Sequence, residues 1–585
     1  MKRIFRSTLA ALGIVGLTSI MSCSFLDVEP TSVETAEAVF STVNGAYNAV
    51  IGAYAPMTGD VAYGNRISGY FPYDSEDFLN SPTGDDAGAG RRGIARYNTA
   101  VDNADVRNAW NAMYRGIERA NICIKYIPTM AQYQGGPDLA VVRRLHGEAL
   151  TLRAQYYFEL IRNWGDVPAP YEPTVTGQDF NLERVDRNAI LDRMISDLDV
   201  AEKLVPWRST VAQDERITKG AVKALRARLA LYRASFYFDP KTSRMERATD
   251  YKKFYDTVRV ECRELMALRS EHNLNASFEE PFRAIGEYRR DAANEIIFQV
   301  GMGGNSSFTD SKLGYFNGPR VTATSSTFGT TTQGAIVLQP TYFYAFAPND
   351  TRRDVTIAPY SIDAAARRIP TTIISAYDGK FRREWSNNTS LKAGASQSLQ
   401  FNWPLIRFSD VLLMFAEAEN ESLNGPSPAA QSALLEVRRR AYTGTLPTPP
   451  AGYTAFQQAI MDERNLEFGG EGIRKYDLIR WNMLGTKFAQ IKATLRDWID
   501  ATPNENVPQY LYYTTNGPTF PPVNSYYGPA PATQPAGTTR VNWRASITEA
   551  RIADIASGFA EARQLLPIPA EARNTNNRLT QNPSY

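Results

Sequence analysis

Clustered acidic side chains are the residues of this chain whose types and spacing best suit chemistry. Asp74, Glu76 and Asp77 lie close together, and Asp85 and Asp86 follow shortly after them. Two carboxylates flanking a glycosidic bond are what glycosidases use. Acids in a loop are more commonly solvated, and hydrogen bonds to sugar hydroxyls are the second explanation. We therefore interpret these residues as solvated loop acids.

The sequence does not support two other patterns that would indicate a cofactor site or a catalytic site. Residues 88–93 read GAGRRG, which has the form G-x-G-x-x-G. A dinucleotide site needs this turn between a strand and a helix, and the preceding SPTGDD predicts a loop instead. No G-x-S-x-G is present in the sequence, so the usual nucleophile elbow is missing. We expect no enzyme activity and no cofactor.

Metal-ligating residues are scarce. The sequence has two histidines, His146 and His272, which lie far apart, so a histidine-rich zinc or iron site is not expected. Cys123 lies on an apolar stretch and is expected to be a buried thiol. A Cys123–Cys262 disulfide stays open as an alternative, because sequence does not show the geometry that it needs.

Aromatic residues make up 11% of the chain, including 31 tyrosines, and loops carry many of them. Such rings suit carbohydrate or peptide ligands, because they offer flat apolar area at low entropic cost. We predict that two aromatic loops, residues 63–97 and 308–317, meet in space and form the ligand site, with Tyr73 and Tyr315 as the preferred stacking residues. The alternative for each ring is that it pins its loop to the body. The predicted ligand-binding residues are Tyr70, Phe71, Tyr73, Asp74, Asp77, Phe78, Asn80, Arg91, Tyr97, Phe308, Tyr315, Phe316 and Asn317.

Apolar residues at helical spacing predict a mainly α-helical fold. Small residues such as Gly147 and Ala224 would let paired helices approach closely, as in degenerate tetratricopeptide packing without a clean repeat. Apolar stripes lie within 145–160, 222–236 and 408–416. Further helices are predicted near 35–55, 105–127, 188–204, 251–268, 427–441, 453–468 and 546–557.

Irregular segments interrupt the predicted helices at 60–100, 301–400 and 503–540. Loops this long in a compact protein are usually functional or disordered, and their aromatic content argues against disorder. Short strands are predicted at 295–300 and near 372–376. Strands and helices do not alternate in a way that would build a parallel sheet.

The N-terminus has the features of an exported, lipid-anchored protein. Residues 1–22 form a signal peptide, with a basic start and an apolar run that ends before Cys23. The sequence Ile-Met-Ser-Cys resembles a bacterial lipobox, in which the cysteine is acylated; the alternative is an ordinary signal peptide with a chance cysteine. No second long apolar run follows, so the mature chain should sit on a membrane. A net charge of +2 gives no indication of nucleic-acid binding.

Motifs spread over nearly the whole mature chain resemble the SusD/RagB nutrient-binding lipoproteins. One departure is Ser584, where that family usually has glycine. Taken singly the motifs are weak, but their common order makes the resemblance specific. They lie at 25–30 (FLDVEP), 110–121 (WNAMYRGIERAN), 147–168 (from GEALTLRAQYYF to WGDVP), 218–225 (TKGAVKAL), 407–418 (RFSDVLLMFAEA), 463–481 (from ER to EGIRKYDLIRW) and 566–585 (from LPIP to LTQNPSY).

The resemblance implies both a fold and a role. The fold is a right-handed superhelix of tetratricopeptide-like helix pairs, with a loop-rich half, a few short strands and a ligand site in the loops. Residues 23–35 would be a lipidated tether and 36–585 a single domain. The role is capture of a glycan at the outer-membrane surface and delivery to a SusC-like TonB-dependent barrel. A peptide-capturing member of the family is the alternative, and a glycosidase comes third.

Charged residues inside the family motifs also have a structural interpretation. An unpaired buried charge is very costly, so charges within apolar helical patterns tend to pair with each other. We therefore predict an internal polar network and no catalytic role for these side chains. The residues concerned are Arg153, Asp410, Glu417, Arg464, Glu471, Arg474 and Asp477.

Overall fold

Long helices pack one against the next through much of the chain. The computed structural model describes residues 35–80, 88–211, 215–500, 506–515 and 517–585, so the predicted signal peptide, Cys23 and nearly all of the tether lie outside the described residues. We call the packed array the helical scaffold. It consists of Val43–Tyr54, Ala104–Tyr126, Leu139–Trp164, Arg187–Leu204, Lys219–Arg233, Lys252–Ala267, Phe408–Leu423, Pro428–Ala441 and Tyr453–Phe468.

Local sequence signals explain where scaffold helices start and how closely they pack. Asn103 accepts hydrogen bonds from the backbone N–H groups of Asp105 and Val106, and so caps Ala104–Tyr126. Gly147 allows its helix to approach a neighbour, because a Cβ atom there would lie 2.4 Å from a methyl carbon of Val205. The predicted close approach at Gly147 is confirmed.

Outside the scaffold the chain forms short strands, short helices and one longer helix, Leu484–Asp500. The strands Phe78–Asn80, Ile336–Leu338, Tyr377–Asp378 and Ile357–Ala358 form, in that order, a four-stranded sheet. Two-stranded antiparallel pairs join Ile296–Val300 with Trp403–Arg407, Tyr510–Thr514 with Thr538–Asn542, Tyr237–Asp239 with Arg244–Glu246, and Tyr360–Ile362 with Arg368–Pro370. The remaining α-helices are Ala36–Val39, Arg66–Gly69, Arg91–Ala95, Ala131–Gln134, Glu280–Gly286, Pro340–Phe343, Arg352–Thr356, Thr389–Ala393, Arg474–Arg480, Leu484–Asp500, Glu549–Asp554 and Ala570–Thr575.

The mainly α-helical fold predicted from the sequence is confirmed, and the errors are local. The strand predicted at 295–300 is Ile296–Val300, whereas 372–376 contains the 3-10 turn Ile373–Ser375 and the strand begins at Tyr377. The helix expected over 546–557 is limited to Glu549–Asp554. The helix Leu484–Asp500 was not predicted.

Three features of the sequence can be compared with the structure. Residues 91–95 of the GAGRRG region form a short helix instead of the predicted loop. Ser584 has a φ of 72°, a conformation that glycine adopts without strain, which explains why glycine suits that position. Cys123 and Cys262 are both buried and unpaired, so the disulfide alternative is wrong.

Buried ion pairs run through the scaffold and reach its neighbouring loops. The carboxylate of Glu467 accepts hydrogen bonds from Arg352, Arg407 and Arg440, and Glu471 binds Arg407 and Lys380. Burial alone would raise the pKa of Glu467, but its arginine partners hold it well below the usual value. The predicted internal pairing is confirmed by Arg153 with Asp197, Arg464 with Asp410 and Asp477, Arg480 with Glu417, Arg407 with Glu471, and Arg474 with Glu76.

Glu467→Gln should destabilise the fold by about 3–5 kcal/mol, because it leaves buried arginines without their counter-charge. Since the folded pKa of Glu467 is lowered, this loss is fully present above the ordinary pKa of 4.5 and shrinks as the pH falls below it. Urea denaturation at neutral and acidic pH measures the difference. Glu571→Gln is the matched control, because its side chain is 60% exposed and its pairing with Arg107 is worth at most about 1 kcal/mol. A Glu467→Gln protein as stable as this control would contradict the assignment.

Candidate functional site

Most of the predicted ligand-binding residues are buried. The structure therefore corrects the prediction that they contact a ligand directly. Their rings and polar groups hold the loops to the body, which is the alternative weighed from the sequence. The residues that are 5% exposed or less are Tyr70, Phe71, Tyr73, Asp74, Asp77, Phe78, Asn80, Tyr97, Phe316 and Asn317.

Tyr73 illustrates this structural role. Its ring is fully buried, and its hydroxyl donates a hydrogen bond of 3.0 Å to the carbonyl oxygen of Gly470. Asp77 accepts from the N–H of the same Gly470 at 3.2 Å. Tyr73 therefore exposes no ring face on which a sugar could stack. The choice of Tyr73 as a stacking residue is wrong for this structure.

The acidic cluster is also buried, contrary to the solvated loop predicted from the sequence. Burial raises the pKa of the Asp74 carboxyl to about 7 and also raises that of Asp77. Glu76 accepts a hydrogen bond of 2.6 Å from Arg474. These acids serve the fold, whereas Asp85 and Asp86 lie outside the described residues.

The two aromatic loops do meet in space, as predicted. The rings of Tyr70 and Phe316 make an edge contact at 6.2 Å, and Lys312 pairs with Asp60 at 2.6 Å. Three predicted residues keep accessible side chains: Arg91, Phe308 and Tyr315. Of these, Tyr315 lines a cleft.

This cleft, which we call the loop cleft, has a volume of about 600 Å³. The four-stranded sheet supplies Val337 and Tyr377, which face each other in register. The segment 315–335 supplies a wall, and the short helices Arg91–Ala95 and Glu549–Asp554 contribute one arginine each. The lining residues are Arg92, Tyr315, Arg320, Thr322, Thr331, Thr332, Gln333, Gly334, Ala335, Val337, Ile374, Ser375, Tyr377 and Arg551.

Backbone hydrogen bonds fold the wall onto itself. The carbonyl oxygen of Tyr315 accepts from the N–H groups of Gln333 and Gly334, at 3.0 and 3.2 Å. Gly334 has a φ of 53°, and a Cβ atom there would lie 2.8 Å from the ring of Tyr377 and 3.0 Å from Cβ of Arg320. Glycine is therefore needed at this position, because it lets the wall pass close to the cleft floor.

The charged groups that line the loop cleft are cationic. Arg320 is exposed and Arg92 is half-buried. Arg551 is held in a partly desolvated environment, which lowers the pKa of its guanidinium to about 10. Its Nη2 atom is buried and has no hydrogen-bond partner among the described residues.

A second cleft of about 730 Å³ is lined by Tyr288, Arg289 and Asp291, among others. Its main polar groups already have partners: Arg289 binds Glu280, and the hydroxyl of Tyr288 is hydrogen-bonded to Ser386 and Leu399. The loop cleft keeps more of its polar groups available, so it is the stronger candidate for a ligand site.

Sequence reasoning missed most of the loop cleft. The threonine-rich character of 301–400 was visible, but not which threonines face a cleft. Arg92 lay in the GAGRRG motif, and Arg551 lay in a predicted helix. Tyr377 belongs to a strand that was predicted a few residues too early. No sequence signal joined these distant segments.

Two family models match the chain. One, described as the SusD family, matches residues 295–585, and the other, described as starch-binding and associating with the outer membrane, matches residues 25–231. Among curated proteins, SusD-like protein P25 of Formosa agariphila is 24% identical over 524 residues, covering 84% of this chain and 92% of that protein.

Solved structures share the fold. A SusD homolog from Bacteroides thetaiotaomicron superposes with a TM-score of 0.75 at 20% identity, covering 94% of this chain and 99% of that one. Surface glycan-binding protein A from Bacteroides thetaiotaomicron, in complex with laminarihexaose, gives a TM-score of 0.64 at 18% identity over 92% of this chain and 99% of its own. Among the described residues, no helix of this chain is long and apolar enough to cross a membrane.

Tyr73→Ala should destabilise the protein by about 3–5 kcal/mol, because it removes a fully buried ring from the core. Tyr315→Ala should cost much less, since that side chain is only half-buried at the cleft wall. Chemical denaturation of both variants measures the contrast. Equal stability of the two variants would contradict the different positions assigned to these tyrosines.

Proposed function

This chain belongs to the SusD family, and we propose that it captures a glycan at the cell surface in the loop cleft and passes it to a partner transporter without cleaving it. The observation that carries the proposal is Tyr315, an accessible aromatic side chain on the cleft wall among polar groups. Its ring would stack on the apolar face of a sugar, and its hydroxyl would bind a sugar hydroxyl.

The other lining groups suit the same ligand. Thr322, Thr331 and Gln333 are exposed at the cleft and carry the hydroxyl and amide groups that hydrogen-bond to sugars. A structurally similar protein has been solved with laminarihexaose, which supports a carbohydrate ligand here. A peptide ligand is the competing outcome of the binding tests below.

The chemistry of the cleft supports capture without hydrolysis. Glycosidases place two carboxyl groups on either side of the scissile bond. Among the lining residues that the structure describes, none is an aspartate or glutamate. Asp74 and Asp77, the acids considered first, are buried in the body of the protein. These observations support a binding role.

The proposed location of the protein is the outer face of the outer membrane. We propose that Cys23 is lipidated, that residues 23–35 are a tether and that 36–585 form a single domain. The family model described as associating with the outer membrane supports the proposed location. The proposed partner is a SusC-like, TonB-dependent barrel, on which the chain acts as a lid; a short tether would let such a lid move as a body.

Tyr315→Ala should weaken glycan binding by about 1–3 kcal/mol, by analogy with the loss of an aromatic stacking partner. At the upper end this is roughly a hundredfold in Kd. Calorimetry with an oligosaccharide that binds the wild type measures the change. Phe308→Ala is the matched control, because Phe308 is 83% exposed in the same loop but does not line the cleft. Unchanged binding by Tyr315→Ala, or an equal loss in both variants, would count against the site.

Cys23→Ala should release the protein from the membrane or leave it unprocessed, since acyl chains provide the anchor. Fractionation of cells that express wild type or variant tests this.

The wild-type protein, extracted in mild detergent, should co-purify with a TonB-dependent barrel. Normal processing with full membrane retention of the variant would defeat the anchor, and repeated purification without a barrel would defeat the partnership.

A further inference from the structure

We infer that the loop cleft selects anionic glycans, whose sugars carry carboxylate or sulfate groups. The inference rests on the proposed function, because it assumes that the cleft binds a glycan. It starts from the composition of the lining: Arg92, Arg320 and Arg551 contribute three positive charges, and the described lining residues include no carboxylate to balance them.

The environment of Arg92 and Arg320 differs from that of many buried arginines elsewhere in the protein. Carboxylates hold several of those buried guanidiniums, as Glu295, Glu467 and Glu471 hold that of Arg407. For Arg92 and Arg320, the described residues provide no ion-pair partner. A guanidinium binds carboxylates and other oxyanions with paired N–H donors. A ligand with such groups would pair with Arg92 and Arg320 as carboxylates pair with arginines in the core.

Arg551 gives an independent observation. Its Nη2 atom is buried without a hydrogen-bond partner among the described residues, although burial normally demands one. The nearby acids give it little compensation, because burial raises the pKa of Asp74 to about 7, which keeps much of that carboxyl protonated near neutral pH. The other acid that acts on Arg551 is Asp554, which lies 3.9 Å from Arg96. Arg551 lines the cleft, so its positive charge attracts an anion that is bound there.

The remaining lining fits a sugar better than a small inorganic anion. Tyr315 and Tyr377 place aromatic rings in the same cleft as the arginines, and Thr322 and Gln333 add neutral hydrogen-bonding groups. A volume of about 600 Å³ exceeds what a free sulfate or phosphate would fill and suits an oligosaccharide. A tyrosine ring would stack on the sugar ring, and the arginines would bind its anionic group.

The test is calorimetry on the full-length protein in mild detergent with matched oligosaccharides. The probes are laminarihexaose as the neutral glycan, an oligogalacturonate as the carboxylate glycan, and a sulfated galactan oligosaccharide with its desulfated form. An anionic probe should bind at least roughly tenfold more tightly than the neutral probes, as a charge-assisted hydrogen bond allows. The advantage should shrink as NaCl is raised from about 20 to about 500 mM. The carboxylate and sulfate arms identify the anion.

Arg320→Ala and Arg92→Ala should each weaken binding of the anionic probe roughly tenfold more than they weaken binding of the neutral probe. Arg320→Lys should retain more of the affinity than Arg320→Ala, because it keeps the charge. Arg115→Ala is the control, since Arg115 is exposed and does not line the cleft.

Equal binding of neutral and anionic glycans, insensitive to these variants, would overturn the inference and leave glycan capture standing. An anionic preference that survives both Arg320→Ala and Arg92→Ala would overturn the assignment to this cleft. Failure of every glycan in the panel to bind, with or without binding of an acidic peptide, would overturn the proposed function itself.

Discussion

Buried pairing between arginine and carboxylate is the interaction on which the structure depends. Glu467 and Glu471, at the end of one scaffold helix and just beyond it, bind Arg407, and Glu471 also binds Lys380 from the looped half. Because buried charges are tolerated only when paired, this contact fixes where the segment around Lys380 lies. Tyr377, three residues before it, forms part of the floor of the loop cleft. The scaffold's charge network therefore positions the candidate site.

The same physics distinguishes core from cleft. Many arginines inside the scaffold, such as Arg153 and Arg464, have carboxylate partners and stabilise the fold. Among the described residues that line the cleft, Arg92 and Arg320 have no such partner, and Arg551 has a buried donor without an acceptor. An anion bound in the cleft would therefore lie among positive charges that the described lining residues do not compensate.

The scaffold could be predicted from sequence because its signals are local. Helical periodicity located Leu139–Trp164, and charges inside apolar patterns predicted their own pairing. The site could not be predicted in the same way. Tyr73 is buried, and its hydroxyl donates a hydrogen bond to the carbonyl oxygen of Gly470, which lies 397 positions away in the sequence. The cleft likewise joins Arg92, Arg320 and Arg551 from distant segments. Sequence showed which loops meet, but not which of their faces stay open.

The central claim is that the loop cleft, floored by a sheet held against the scaffold, is where the glycan binds. A crystal structure of the protein with the oligosaccharide that binds most tightly tests it most directly. We expect a sugar ring against Tyr315, with the polar groups of the sugar within hydrogen-bond distance of Arg320 or Gln333. A ligand found instead in the cleft lined by Tyr288 and Arg289, with the loop cleft empty, would contradict it.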